Sequence, residues 1–149
     1  MTRERSVPLR LEVLDHGRPR TARAFLHRVV RAALRHCDRP DLPVSLLLTD
    51  DREIARIHGE FLADPTPTDV ISFAIDGCAE LVVSVETARR TARELGHAVA
   101  AEVALYVVHG ILHVCGFDDT KPRDRIRMRA AERAVMEDLH LELRHVDED

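Results

Sequence analysis

From His97 to Asp119 the chain reads HAVAAEVALYVVHGILHVCGFDD. Through Cys115 this stretch is nearly all apolar, with Val99, Val103, Leu105, Val107, Val108, Ile111 and Leu112 spread over most of the circumference of a helix. A helix apolar on most sides has little solvent face to present and belongs inside a domain. The stretch therefore predicts a central buried helix, and Gly116 turns the chain at its end. His109 and His113 stand on this helix four residues apart, so they share one face and both rings can address the same point. Behind the turn come Asp118 and Asp119, and Asp119 is placed to offer an oxygen as a third ligand. Two imidazoles and a carboxylate, with a fourth position left for water, form the donor set of a catalytic zinc site. Two histidines on an apolar helix also occur as core residues, and the glycine turn with its acids puts the metal reading level with that one. Gly110 stands where HExxH peptidases place their general base. The H-x-E and P-C-x-x-C pattern of zinc deaminases is missing too.

Working outward, Leu9–Leu14 alternates apolar and polar residues and reads as a half-buried strand. From Pro19 to about His36 one helix face carries Ala22, Phe25, Leu26, Val29, Val30, Ala33 and Cys37, and another carries Arg20, Arg23, His27, Arg31 and Arg35. That basic stripe is either a solvated face or a contact for RNA phosphates. Pro40 and Pro43 break the helix. Val44–Thr49 then reads as a mostly buried strand, and Asp50 or Asp51 caps a helix through Ile54, Ile57, His58 and Phe61. Asp64-Pro65-Thr66-Pro67-Thr68 is a stiff loop. Val70–Ile75 and Glu80–Val85 are strands whose short Asp76-Gly77-Cys78 link suggests a hairpin. Glu86–Leu95 is a polar helix closed by Gly96. Thr120 and Pro122 start a last helix through Ile126, Val135 and Leu139. No repeat or linker interrupts the pattern, and there is no regular βαβ alternation. The expected fold class is α+β: a single domain with a small mixed β-sheet of about four strands packed by about five helices, the His-bearing helix at its centre.

Composition fits this. The chain has 149 residues, 45% of them hydrophobic, 32% charged and only 3% aromatic, so aliphatic side chains must build the core. The formal net charge of −4 gives no global attraction to nucleic acid. The arginines concentrate early, however, with seven Arg and one acid between Arg18 and Arg39. Three widely spaced cysteines, Cys37, Cys78 and Cys115, without a CxxC, fit a reducing cytosol rather than a disulfide framework. Cys115 is either a buried hydrophobe or a neighbour of the ion. No apolar segment follows Met1-Thr2-Arg3-Glu4-Arg5, so no signal peptide is expected. No run approaches membrane-spanning length.

Two blocks carry a family resemblance. Pro67-Thr68-Asp69-Val70-Ile71-Ser72-Phe73 resembles the P-T-[DN]-V-L-S-F block of the YbeY endoribonucleases, and His109–Asp119 resembles their H-G-x-L-H-x-x-G-[YF]-D-H block. Glu80-Leu81-Val82-Val83-Ser84 is similar to that family's acidic strand. The order of elements matches over roughly residues 9 to 140. The resemblance implies one endoribonuclease-like domain over residues 1–149, with one divalent metal, zinc or a related ion, held by His109, His113 and Asp119. It implies a cytoplasmic, metal-dependent hydrolase that cuts single-stranded ribosomal RNA. It also implies a role with the small ribosomal subunit, in maturation of the 3′ end of its RNA and in ribosome quality control. The catalytic residues beyond the ligands remain open, as does the oligomeric state.

The chain departs from the pattern at several positions. Asp119 replaces the family's third histidine; a carboxylate is a competent zinc ligand, but it adds a negative charge and makes bound water less acidic. Leu62 stands where the family carries an arginine, whose forked phosphate contact leucine cannot make. Ala74 and Ala79 replace a proline and a glycine and read as backbone adjustments. Asp118 is either a group orienting a ligating histidine or a helix cap. Asp69 and Ser72 either hydrogen-bond around the site or close a turn and pair in the sheet. The alternatives kept beside the nuclease are a ribosome- or RNA-associated protein with a residual metal site and little turnover, and a metallohydrolase of small phosphate esters.

Overall fold

Successive side chains of a strand point to opposite faces of its sheet, and that period divides this molecule into two unequal cores. The computed structural model describes residues 8–62 and 68–142, with the backbone alone for Phe61 and Leu62. Its elements are β1 Leu11–Asp15, α1 Arg23–His36, β2 Val44–Thr49, α2 Asp51–Leu62, β3 Val70–Ile75, β4 Cys78–Ser84, α3 Val85–Leu95, α4 Val99–Val114 and α5 Pro122–Asp138. The sheet order is β1-β2-β4-β3, with β1, β2 and β4 parallel and β3 antiparallel at the edge. The expected α+β architecture, with four strands and five helices, is the one observed. Within it, β1, α1 and β2 form a single parallel crossover.

Val44, Leu46 and Leu48 of β2 and Ala79, Leu81 and Val83 of β4 face the larger core, which they share with α1, α4 and α5. Leu47, Ile71, Phe73 and Val82 face the other way and pack on Ile54 and Ile57 of α2. Helix α4 is central as expected: it touches α1, α3, α5, β3 and β4. Its Val103, Ala104, Val107, Val108, Ile111 and Leu112 are completely buried. Among the described residues no helix is long and apolar enough to cross a membrane.

Local chemistry fixes the element ends. Helix α1 begins at Arg23 rather than near Pro19 because the Asp15 carboxylate accepts from the Gly17 and Thr21 backbone N–H groups, both at 2.8 Å, and holds the connection as a loop. Asp50 caps α2, accepting from the Glu53 N–H at 2.8 Å. The expected hairpin forms around Asp76 and Gly77, which both have positive φ (51° and 76°), the geometry of a two-residue primed turn. That tight turn lets pairing start at Ile75 and Cys78, so β4 begins two residues before Glu80. Ser84 caps α3 and left-handed Gly96 closes it.

One contact sets how closely α4 lies on the sheet. A Cβ added at Gly110 would fall 2.0 Å from Leu81 Cδ2 and 3.3 Å from Val70 Cγ2. Gly110→Ala gains about 1 kcal/mol in helix propensity but overpacks a closed core, which costs about 1–3 kcal/mol. We expect a net loss of stability in denaturant unfolding. In a Leu81→Ala background, where the space exists, the same substitution should become stabilising. A stabilising Gly110→Ala in the wild type would show that the helix stands off for another reason.

Candidate metal centre

Four elements bring the site together. Helix α4 presents His109 and His113 one turn apart, with ring centroids 6.5 Å apart and planes only 11° from parallel. The turn at Gly116, which has φ +107°, carries the chain back so that Asp118 and Asp119 return beside the histidines. One ligand atom from each of His113, Asp118 and Asp119 lies within 4.8 Å of the others. Asp119 also reaches His109, with its Oδ2 at 3.5 Å from Nε2. Asp119 is thus the residue that meets both rings.

The two adjacent aspartates do different work. Asp118 Oδ1 accepts from the backbone N–H of Asp119 (2.7 Å) and of Thr120 (3.2 Å), and its Oδ2 accepts from the Thr120 hydroxyl (3.1 Å). Those bonds hold the Asp118 carboxyl below the usual carboxylate range. It caps the turn leading into α5 while staying close to His113, and Asp119 meets both histidines.

Each imidazole is held from behind through Nδ1. Glu132 of α5 accepts from His109 Nδ1 at 2.7 Å. Ser72 Oγ lies 3.4 Å from His113 Nδ1. Ser72 shares its sheet face with Val70, turned toward α4, so the strand period delivers its hydroxyl to the site. With Nδ1 engaged on both rings, Nε2 is the nitrogen each offers outward. Glu132 lies nineteen positions or more from either histidine in sequence, inside an Arg-rich helix, and nothing in the chain marks it. Asp69 closes the start of β3, its Oδ1 accepting from the Val70 N–H at 2.8 Å.

A cleft of about 520 Å³ opens beside His109, lined among others by Thr68, Asp69, Thr87, Arg90, Tyr106 and Glu132. Arg90 is its one arginine or lysine among the described residues. Asp51 Oδ2 holds the Arg90 guanidinium at 2.8 Å, and Thr87 Oγ1 accepts from it at 3.1 Å. At the far side a buried His97 Nε2 meets Glu102 Oε1 at 2.6 Å, in the first turn of α4. Burial pushes the Tyr106 hydroxyl above its ordinary value of 10. The side chain of Leu62, where the family's arginine would stand, and the loop residues Asp64–Pro67 lie outside the described residues.

These features define a small α+β protein with a histidine–carboxylate centre at the end of its central helix, next to an open cleft. The family model described as Endoribonuclease YbeY matches residues 15–140, and the chain belongs to that family. The Endoribonuclease YbeY of Rhodopirellula baltica is 42% identical over 134 residues, covering 83% of this chain and 67% of its own length. That of Heliobacterium modesticaldum is 35% identical over 114 residues, covering 64% and 69%. That of Anaeromyxobacter sp. is 36% identical over 125 residues, covering 79% and 65%. The chain thus spans about two thirds of the length of these curated relatives. The solution structure of TM1509 from Thermotoga maritima is similar in fold, with a TM-score of 0.62 at 21% identity over 87% of this chain and 91% of that one.

The His109–Glu132 pair has a pH signature. The hydrogen bond to Glu132 raises the His109 pKa above its ordinary 6.5, against a smaller opposing effect of burial. A raised folded-state value means the pair stabilises the metal-free protein fully below the unfolded pKa, and this is lost as pH rises through the folded one. The difference in Tm between wild type and Glu132→Gln, measured with chelator, should therefore shrink as pH rises from about 5.5 to 8. A difference independent of pH would mean that the pair does not carry the proton.

Proposed function

We propose that this protein is a metal-dependent endoribonuclease that cleaves single-stranded RNA, with ribosomal RNA precursors as its substrate. The observation that carries the reading is the meeting of Asp119 with both His109 and His113, in a chain that belongs to the Endoribonuclease YbeY family. The donor chemistry fits a divalent ion: neutral imidazoles and a carboxylate suit zinc and its neighbours. His109, His113 and Asp119 would hold it. When bound, such an ion lowers the pKa of water and polarises a phosphoryl oxygen.

The chain's own groups do the rest. Glu132 takes the Nδ1 proton of His109 into a hydrogen bond, which fixes the tautomer and leaves the Nε2 lone pair facing the centre. Ser72 orients His113 in the same sense. Arg90, held by Asp51, offers its remaining N–H groups to a phosphate entering the cleft, a geometry suited to phosphate oxygens. The family resemblance supports work on the 3′ end of small-subunit RNA, quality control with the small ribosomal subunit and a cytoplasmic setting. The resemblance also supports reading residues 1–149 as one domain.

A second reading is an RNA-associated protein with a residual site and little turnover. It is favoured by the charge at the centre, where Asp119 in place of an imidazole, with Asp118 and Glu132 near, makes bound water less acidic.

Zinc-loaded wild type should cut single-stranded ribosomal RNA while His113→Ala, purified identically, does not. Equal silence from both, with folded and metal-loaded wild type, would select the second reading. For the ligand set, Asp119→Ala should lose metal or bind it far more weakly in chelator competition, and Asp118→Ala should largely keep it. Glu132→Gln should weaken binding by about 10–100-fold without unfolding. Equal metal retention in the two aspartate variants would remove Asp119 from the ligand set.

A further inference from the structure

We propose that the outer face of α1 and of the first half of α5 is a docking surface for the phosphate backbone of RNA, separate from the cleft beside His109. The choice of RNA as the polyanion rests on the nuclease reading; the surface itself rests on charge and packing. Helix α1 carries Arg23, Arg28, Arg31 and Arg35 and no acidic residue. From Lys121 to Arg133 there are six basic residues and two acidic ones, Asp124 and Glu132, and Glu132 is spent on His109. In a chain of net charge −4, these two arginine-rich helices pack against each other.

The two helices form one surface. Arg28 Nη2 donates to the Leu139 carbonyl at the end of α5 (3.4 Å), and at the other end the His36 ring lies 6.4 Å from Phe117. The surface also runs into the candidate centre. Arg127 lines a pocket of about 220 Å³ together with Gly116 and Asp118, on the loop that presents Asp119.

A basic helix face is ordinarily solvated and interleaved with acids at i+4, and α2 of this protein does that with Arg56 and Glu60 at 2.8 Å. Most of the arginines on α1 and α5 differ in this. Among the described residues no ion pair forms for Arg23, Arg28, Arg31 or Arg35, nor for Arg123, Arg125, Arg127 or Arg133. Arg28, Arg31 and Arg35 follow at i+3 and i+4, a spacing at which like charges repel. A bound polyanion relieves that repulsion. A lipid surface fits less well, because membrane-lying helices add an apolar stripe. Ile126 is the only exposed large apolar side chain on these two helices.

The test is equilibrium binding of a labelled single-stranded RNA of about 24 nucleotides to the full chain, across about 50 to 200 mM salt. Arg31→Gln/Arg35→Gln and Arg123→Gln/Arg127→Gln are compared with wild type. Each double variant should bind more weakly and lower the log–log salt slope by about 1.4, at ~0.7 per lost phosphate contact. The Tm of the α1 variant should hold or rise, since repulsion is removed, which separates lost docking from lost fold. Unchanged affinity and slope in both variants, with wild type still cutting RNA, would overturn the surface and leave the nuclease. Wild type that binds with a steep slope but never cuts would keep the surface and remove the nuclease. No RNA binding by wild type, or a loss in the variants confined to anionic vesicles, would overturn the proposal.

Discussion

The close approach of α4 to β4 at Gly110 and Leu81 is the constraint on which the site depends. Gly110 lies between the two histidines, and with no side chain there the helix settles against Leu81 and Val70. That depth places His113 within reach of Ser72 on β3, and it places the end of α4 so that the Gly116 turn returns Asp119 to both rings. A helix standing off by the thickness of a methyl group would keep the same residues and lose their convergence. Packing depth thus sets how these side chains converge, because a close-packed interior passes on even small displacements.

The electrostatics of the centre follow from which groups share the ends of α4 and α5. Two imidazoles face Asp119, and Glu132 stands behind one of them. The surplus of negative charge suits a cation but lessens the acidity that cation can confer on water. Arg90 is tied to Asp51, so the cleft beside His109 holds a cation already partly neutralised. Among the described residues, Arg31 and Arg35 of α1 and Arg123 and Arg127 of α5 form no ion pair. The histidine–carboxylate centre and the arginine-rich helices thus lie on neighbouring parts of the molecule.

Sequence by itself determined the element order and the character of the central helix. Hydrophobic period is a local property, and His97–Cys115 has no polar side to expose, so its burial follows from the chain alone. The turn residues Asp76 and Gly77 announced the hairpin for an equally local reason, tolerance of positive φ. The spacing of His109 and His113 and the acids after Gly116 drew attention to the centre. Boundaries were less legible: the start of α1 depended on Asp15 reaching across six residues to Thr21, a bond that propensity does not register.

Only the tertiary structure decided which groups stand behind the two histidines. Ser72 enters through the facing of β3, and Glu132 through the packing of α5 on α4, contacts 41 and 23 residues apart in the chain. It also distinguishes two adjacent aspartates: Asp118 accepts from the backbone of its own turn, and Asp119 reaches both histidines. Joining two separate runs of arginine into one surface required α1 and α5 to lie side by side. Each of these is a long-range juxtaposition fixed by side-chain packing, and packing is a property of the folded whole that no local window of sequence contains.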